Sequence, residues 1–526
     1  MTTKHLFALI AATLTVGAAE AHSHTTPAPS PVHSCGVFAA AVDILTDRPC
    51  QQIDHFGASD AWTMQSLGLW DNDSVVSQTA DWLFSTELDA NGQPRGIGLS
   101  LWRFNLGAGS AEQGRAAQIN RGTRTECLMR PDGTWDMTRQ AGQQRFLRLA
   151  KERGVPHFLA FLNSPPVYYT QNGLATNTGR DGTLNLKADC YGDFAQFIAT
   201  AIDSLQLRLG LHFDYVSPLN EPDGSWNWLG PKQEGTPATN RETARIVRHL
   251  SEALTQRGLD TEIIVNESSD LRCLMGIHET SWERGNTLRT LFSPDSTETC
   301  ISTIPHLLPV IAAHSYWTNT PVNRMRRIRE QLREQCRQLG IGYWQSELCI
   351  MQNDEEIGGG QGYDFTMKTA LYVARVIHHD LVYGDARSWS WWRAGGGDYR
   401  DGLLRVYDRE RRVAPSRLLW AMGNYSRFVR PGATRYEVRA DNSPTGLMTS
   451  AFRNADGRWV IVAINYADEP ITIAPTLTTS SGSQQKTCRW QPYRTSDVPG
   501  ETLAPITEAE TTILLPPRSI TTLCER

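Results

Sequence analysis

The chain reads as an α/β protein, a (β/α)8 TIM barrel carrying a β-sandwich side domain, and three observations lead there. Eight short apolar runs alternate with stretches of helical periodicity from Ile53 onward. No GxGxxG turn follows the first of these runs, which disfavours a doubly wound sheet. Past Arg430-Pro-Gly432 the helical periodicity stops and short alternating strands separated by turns take over, as in a small β-sandwich.

The N-terminus comes first. Lys4 supplies positive charge, Leu6 to Val16 is an apolar run, and Ala19-Glu20-Ala21 is a small-x-small cleavage site. Residues 1–21 therefore read as a signal peptide, which implies a secreted or periplasmic protein, and residues 22–34, polar and Pro/Thr-rich, as a flexible stub. No later stretch approaches the ~18 consecutive apolar residues of a membrane span. The barrel is expected over 35–430, with residues 35–50 contributing to the side sandwich of 431–526.

Barrel strands are expected at Ile53–Ala58, Leu99–Leu106, Pro156–Leu162, Phe213–Leu219, Glu262–Asn266, Pro309–His314, Ile341–Ser346 and Ala386–Trp391. Between them, Gln140–Arg153, Tyr191–Leu209, Asn240–Arg257, Asn323–Leu339 and Phe365–Val382 carry helical apolar spacing. The sandwich strands follow at Arg435–Arg439, Leu447–Arg453, Trp459–Tyr466, Ile471–Leu477 and Thr511–Leu515. Gly358-Gly-Gly-Gln-Gly362 lacks a P-loop lysine and is a loop rather than a phosphate cradle.

Composition narrows the function classes. With 51 basic against 56 acidic residues the formal net charge is −5, so no basic surface for nucleic acid is implied. Ten cysteines in an exported chain suggest disulfides, with Cys35–Cys50, Cys273–Cys300 and Cys488–Cys524 as local pairings. None is spaced as CxxC, and no HExxH or EF-hand pattern occurs, so neither a metal nor an organic cofactor is expected. Sixteen tryptophans include Trp226, Trp228, Trp317, Trp344, Trp389, Trp391 and Trp392 near strand ends or loops, where they either stack on sugar rings or fill the core.

Two glutamates carry the chemistry. Glu221 lies in Asn220-Glu-Pro222 and Glu347 in Trp344-Gln-Ser-Glu347, 126 residues apart (347 − 221), and each closes a buried strand. Side chains at the C-terminal strand ends of such a barrel share one active site. Paired carboxyls there suit glycoside hydrolysis, in which one protonates the leaving oxygen while the other attacks the sugar or activates water. Cys349, two residues past Glu347, reads as structural or as a pocket wall, since no basic neighbour would activate its thiol.

Phe56-Gly-Ala-Ser-Asp-Ala-Trp62, Ser164-Pro-Pro166, Leu219-Asn-Glu-Pro222, Gln345-Ser-Glu347 and Tyr425-Ser-Arg-Phe-Val-Arg-Pro-Gly432 together resemble glycoside hydrolase family 30, in order and spacing, along nearly the whole mature chain. Asn220 through Trp228 and Lys232-Gln-Glu-Gly235 are most similar to the endo-β-1,6-galactanase-like branch. The resemblance implies a retaining mechanism through a covalent glycosyl-enzyme, with Glu221 as acid/base and Glu347 as nucleophile. Once Glu347 is esterified its charge vanishes, and Glu221 gives up its proton more readily and turns to base.

The supporting residues follow. Asn220 is placed to hydrogen-bond a sugar 2-hydroxyl, or it caps the strand-to-loop turn. Arg103, within an apolar strand, needs a carboxylate partner, either Glu347 or a purely structural one. Tyr316 is expected to hydrogen-bond the nucleophile, while His314 joins it or sits in the core. Trp391 is expected to floor the subsite of the attacked sugar, with Asp60, Trp62 and Asn163 as further sugar contacts. The expected partner is a polysaccharide or oligosaccharide, on a monomeric enzyme. β-1,6-Glucanase, glucosylceramidase, xylanase and exo-β-galactosidase or fucosidase activities, and a non-catalytic carbohydrate-binding protein, are the alternatives.

Overall fold

A computed structural model of the chain describes residues 39–176, 182–226, 232–351, 354–360, 362–397, 402–439, 445–483, 485–507 and 511–526. The leader, Cys35 and Trp228 lie outside them. Strand β1 (Ala40–Gln52) comes first, followed by the barrel strands β2 (His55–Ser59), β3 (Leu101–Asn105), β4 (His157–Phe161), β5 (Tyr215–Ser217), β6 (Glu262–Ser268), β7 (Leu307–His314), β8 (Gly342–Glu347) and β9 (Ala386–Gly396). All eight run parallel, each beside its sequence neighbour, and β9 pairs with both β8 and β2 to close the cylinder. A parallel barrel is covered on both faces, which is why these strands read as nearly unbroken apolar runs.

The outer helices follow from local chemistry. Asn240–Arg257 opens on a capping box between Thr239 and Glu242 and buries Ile246, Leu250 and Leu254 at four-residue spacing against the barrel. It ends at Gly258, whose φ of 68° is open to glycine without a Cβ penalty. Helices at Ala141–Glu152, Tyr191–Leu209, Val322–Leu339 and Met367–Val382 lie where the apolar spacing places them. Two more, Asp73–Phe84 and Arg417–Ser426, and the hairpin β10 (Gly402–Tyr407) with β11 (Arg412–Pro415), were not expected.

The barrel interior is stacked in layers. At its floor His55, Tyr215 and Trp344 meet, with Trp344 edge-on to His55 at 4.4 Å and to Tyr215 at 4.9 Å. Trp344 is thus a plug rather than a sugar platform. Above it lie the charged side chains described below.

The second sheet contains β12 (Thr434–Arg439), β13 (Leu447–Arg453), β14 (Trp459–Asn465), β15 (Ile471–Thr478), β16 (Gln485–Lys486), β17 (Trp490–Thr495), β18 (Thr502–Pro505), β19 (Ile513–Leu515) and β20 (Ser519–Glu525). It encloses a core of its own that includes Val42, Ile44, Ile461, Ile473, Trp490 and Leu523. Strand β1 lies inside this sheet, antiparallel to β12 and parallel to β15.

Among the described residues the expected Cys273–Cys300 and Cys488–Cys524 bridges are not formed and all nine cysteines are thiols, while the Cys35–Cys50 pairing rests on Cys35, outside the described residues. Cys524 faces Gln491 in the ladder of β17 and β20, three residues out of register with Cys488, whose sulfur instead lies 3.2 Å from a Glu525 oxygen. Cys273 donates to the His278 carbonyl and Cys300 lies against Ser302.

Candidate active site

Five ionisable side chains from five segments meet at the C-terminal mouth of the barrel: Arg103 on β3, Glu221 in the loop after β5, Glu267 on β6, His314 on β7 and Glu347 on β8. Arg103 donates to Glu347 Oε2 at 3.2 Å and lies 3.5 Å from Glu267 Oε1. His314 Nδ1 lies 3.0 Å from Glu221 Oε1 and 3.4 Å from Glu347 Oε1, while its Nε2 is 3.2 Å from Glu267 Oε2. Tyr316 donates its hydroxyl to Glu347 Oε1 at 2.9 Å. Side-chain exposure is 18% for Glu221 against 4% for Glu347 and 1% for Glu267, so Glu221 is the carboxyl that solvent reaches.

The electrostatics follow from this packing. Burial opposes a charge on His314, but Glu347 and the bonds to Glu221 and Glu267 outweigh it and raise the imidazole to about 10. Burial likewise opposes a charge on Glu267, yet Arg103 and then His314 overcome it and hold the carboxyl down at about 2. For Glu347 burial wins and the carboxyl is raised, with His314 and Arg103 pulling the other way. One oxygen each of Glu221 and Glu347 and a nitrogen of His314 lie within 4.8 Å of one another, a donor set a metal ion could reach. These atoms already engage one another, His314 Nδ1 lying between Glu221 Oε1 and Glu347 Oε1.

β-Bulges aim several of these groups. Pairing of β7 with β8 skips from Ala313↔Gln345 to His314↔Glu347, so the extra residue turns both Ser346 and Glu347 toward the cluster. Pairing of β6 with β7 skips Glu267 in the same way. Glu221 and Glu267 also have left-handed backbones, with φ of 47° and 56°, a conformation that non-glycine residues hold only when their surroundings enforce it. Here Glu221 N donates to the Glu267 carbonyl at 2.9 Å, and Trp226 Nε1 donates to the Glu221 carbonyl at 2.9 Å. Gly235 lets that indole lie close, since a Cβ there would stand 2.0 Å from the Trp226 ring. Arg284 donates to the carbonyls of Asp223 (2.9 Å) and Gly224 (2.7 Å) and fixes the rest of the turn.

Around the cluster, buried polar atoms lack partners in the way a ligand site does. Among them are Asn163 Oδ1 and Nδ2, Asn220 Oδ1 and Trp62 Nε1. The sequence expectations for these three residues are compatible with that placement.

Two expectations are corrected. Asp60 is fully buried and accepts from Asn105 N (2.9 Å) and Gln143 Nε2 (3.0 Å), so it ties β2 to β3 and a helix rather than facing sugar; burial raises its carboxyl to about 7. Trp391 is also fully buried and stacks on Trp389, whose indole donates to Asp380 of the outer helix Met367–Val382. Strand alternation therefore turns both outward. Trp392, skipped in the pairing with β2 between Ala58↔Trp391 and Ser59↔Arg393, faces the mouth instead, edge-on to Trp62 at 5.4 Å and to Phe161 at 6.0 Å.

Sequence reasoning missed Glu267, although a signal existed: like the two chosen glutamates, it closes a buried strand, Ile263-Ile-Val-Asn-Glu267. A cleft of about 560 Å³ adjoins the cluster and is walled by Tyr316, Cys349, Trp317 and Arg324, among others. Trp317 is 38% exposed, and Trp282, on the loop after β6, is 72% exposed.

Residues 40–407 match O-Glycosyl hydrolase family 30, and residues 432–523 match the Glycosyl hydrolase family 30 beta sandwich domain. The chain belongs to glycoside hydrolase family 30. Within this family 30 chain, 356 residues are 23% identical to Glucuronoxylanase XynC of Bacillus subtilis, covering 66% of the chain and 69% of the relative. Among solved structures it is similar to a conserved exported protein from Bacteroides fragilis, at 31% identity and TM-score 0.84, over 92% of this chain and 100% of that one. The catalytic domain of xylanase C from Talaromyces cellulolyticus, a family 30 enzyme, shares its fold at 22% identity and TM-score 0.67, over 92% and 100% of the two chains. Membership makes this chain an O-glycoside hydrolase acting on a carbohydrate, and no helix among the described residues is long and apolar enough to cross a membrane.

Proposed function

We propose that the protein is an exported, retaining endo-glycosidase that cuts β-1,6-linked galactan. The observation that carries the mechanism is the Glu221–Glu347 pair, with carboxylate oxygens within 4.8 Å. A retaining pair stands about 5–5.5 Å apart, whereas an inverting pair leaves room for a water between. In the first step a Glu347 oxygen bonds to the anomeric carbon as the glycosidic C–O bond breaks, and Glu221 passes its proton to the departing oxygen. In the second, Glu221 takes a proton from water, whose oxygen attacks the same carbon and releases Glu347. Arg103, His314 and Tyr316 hold the nucleophile, Asn220 and Asn163 receive sugar hydroxyls, and Trp62 and Trp392 wall the site.

The choice of sugar rests on the likeness of Asn220–Trp228 and Lys232–Gly235 to the galactanase-like branch. Endo cleavage is supported by the exposed Trp317 and Trp282 on the loops after β7 and β6, where further sugar rings of a long chain would stack. Export is supported by the leader pattern of residues 1–21 and by the likeness to an exported protein. A second reading, glucuronoxylan as substrate, is favoured by the curated relative and by Arg324, whose Nε is buried without a partner at the cleft wall.

The test is product analysis on β-1,6-galactan, β-1,6-glucan and glucuronoxylan with wild type and Glu347→Gln. Short galacto-oligosaccharides from the wild type alone are expected. Monosaccharide alone would mean exo cleavage, hydrolysis of another polymer alone would overturn the sugar, and no cleavage of any would overturn the activity.

A further inference from the structure

Three carboxylates converge on the barrel mouth where the reaction needs two. Glu267 is set behind the others, and its surroundings come from every strand packed on it. Arg103 of β3 lies 3.5 Å from one oxygen and His314 of β7 3.2 Å from the other, which also accepts from Ser346 of β8. Its backbone carbonyl accepts the amide of Glu221 at 2.9 Å. The two cations that hold Glu267 are the same two that touch Glu221 and Glu347.

We infer that Glu267 is a positioning residue, a fixed counter-ion that holds Arg103 and His314 between itself and the two reacting carboxyls and anchors the acid's turn by its carbonyl. This rests on the proposed roles of Glu221 and Glu347. Without Glu267, two cations would face two carboxylates, leaving no charge imbalance for a proton on the acid to close. With it, the cluster carries three carboxyls against two cations, and a single added proton makes it neutral. Glu221 is the carboxyl that solvent reaches, and the proposed acid/base role places the transferred proton there. Glu267 is walled in at 1% side-chain exposure, with both carboxylate oxygens turned to Arg103 and His314, so it stands behind the pair.

The consequence has a sign. Removing a buried negative charge leaves a more positive surrounding, which favours ionised carboxyls and disfavours the imidazolium. In Glu267→Gln, both limbs of the kcat/KM profile are expected to move to lower pH by about one unit, with a loss of about 10- to 100-fold at the optimum, the size typical of a partner behind a reacting group. Glu267→Asp keeps the charge and should leave the limbs in place even where the shorter reach lowers kcat. An activity loss in Glu267→Gln with unmoved limbs, or no change at all, would overturn the inference.

Should Glu267→Gln fail to fold, Ser346→Ala decides instead. It strips a donor from Glu267, leaves its charge less compensated, and is expected to move both limbs to higher pH; unmoved limbs would refute the role. A readout independent of turnover is the ring 13C shift of His314 in histidine-labelled protein, assigned by its loss in His314→Gln. The wild-type ring should stay protonated well past neutrality, and Glu267→Gln should titrate at lower pH. If the wild type cleaved no glycan yet this titration moved as stated, the function would fail and the counter-ion would stand. An unmoved titration in an active enzyme would do the reverse.

Discussion

His314 Nδ1 stands 3.0 Å from Glu221 Oε1, although 93 residues separate the two in sequence. The contact makes stability depend on pH with a definite sign. His314 is raised from 6.5 to about 10, so its contribution is complete below 6.5 and lost as pH rises through about 10. Glu267 is lowered from 4.5 to about 2, so its contribution is complete above 4.5 and lost as pH falls through about 2. The melting-temperature difference between wild type and His314→Gln is therefore expected to be widest between these limits and to shrink toward pH 10. A difference that stays constant across that range would mean that the ring is neutral when folded.

The two glutamates should fail differently. Glu347→Gln loses the nucleophile, and activity on every glycoside is expected to fall by at least about 10³-fold. Glu221→Ala loses only the proton, so cleavage of the polymer should fall by about 10²–10⁴-fold. An aryl glycoside with an acidic phenol needs no proton for departure, and its first step should be nearly spared. Equal losses on both substrates would reverse or void the assignment.

Tyr316 is linked to Glu347 by a single hydroxyl at 2.9 Å. A hydrogen bond to a charged group is worth about 1.5–3 kcal/mol, so Tyr316→Phe should lower kcat/KM by about 10- to 150-fold with little change in fold. Unchanged kinetics would remove Tyr316 from the nucleophile's support.

The barrel itself was open to reading, because a parallel strand buried on both faces leaves a run such as Ile263-Ile-Val265 that little else explains. Glu221 and Glu347 were legible as a pair because each closes such a run. Trp391, Trp392 and Glu267 were not, since a Trp-Trp pair does not say which ring faces the mouth and the expected strand stopped at Asn266. Trp389 bonds the outer helix, so alternation turns Trp391 outward and Trp392 inward, while at β6 a bulge at Glu267 breaks the pattern. Asp60 misled differently, since a polar residue after a strand looks the same whether it meets a sugar or the Asn105 amide.

The opposite facing of the two adjacent tryptophans is measurable. Trp392→Ala should raise KM or abolish substrate binding while the protein melts close to wild type. Trp391→Ala should cost about 3–5 kcal/mol of stability, as for a large buried aromatic, and affect KM little in whatever remains folded. The opposite pattern would place Trp391 in the cleft after all.

The cysteines give a test that needs no substrate. Burial raises the thiols of Cys127, Cys336 and Cys524 to about 12 and that of Cys488 to about 11, so few thiolates are present at neutral pH. These four should react slowly with a thiol reagent in native protein, whereas unreduced protein in denaturant should yield all nine described thiols. A markedly lower count would show disulfides that this structure lacks.

Strand β1 has its neighbours at the far end of the chain, pairing Asp43 with Arg439 on one side and Thr476 on the other. A ribosome must therefore emit the first strand and then some four hundred residues more before that strand has anything to zip against. The barrel in between cannot be lifted out as a minimal enzyme by trimming either terminus, because each cut strips a partner from the same seam. The sandwich is in effect a clasp, in which strands made after the barrel close over the one made before it.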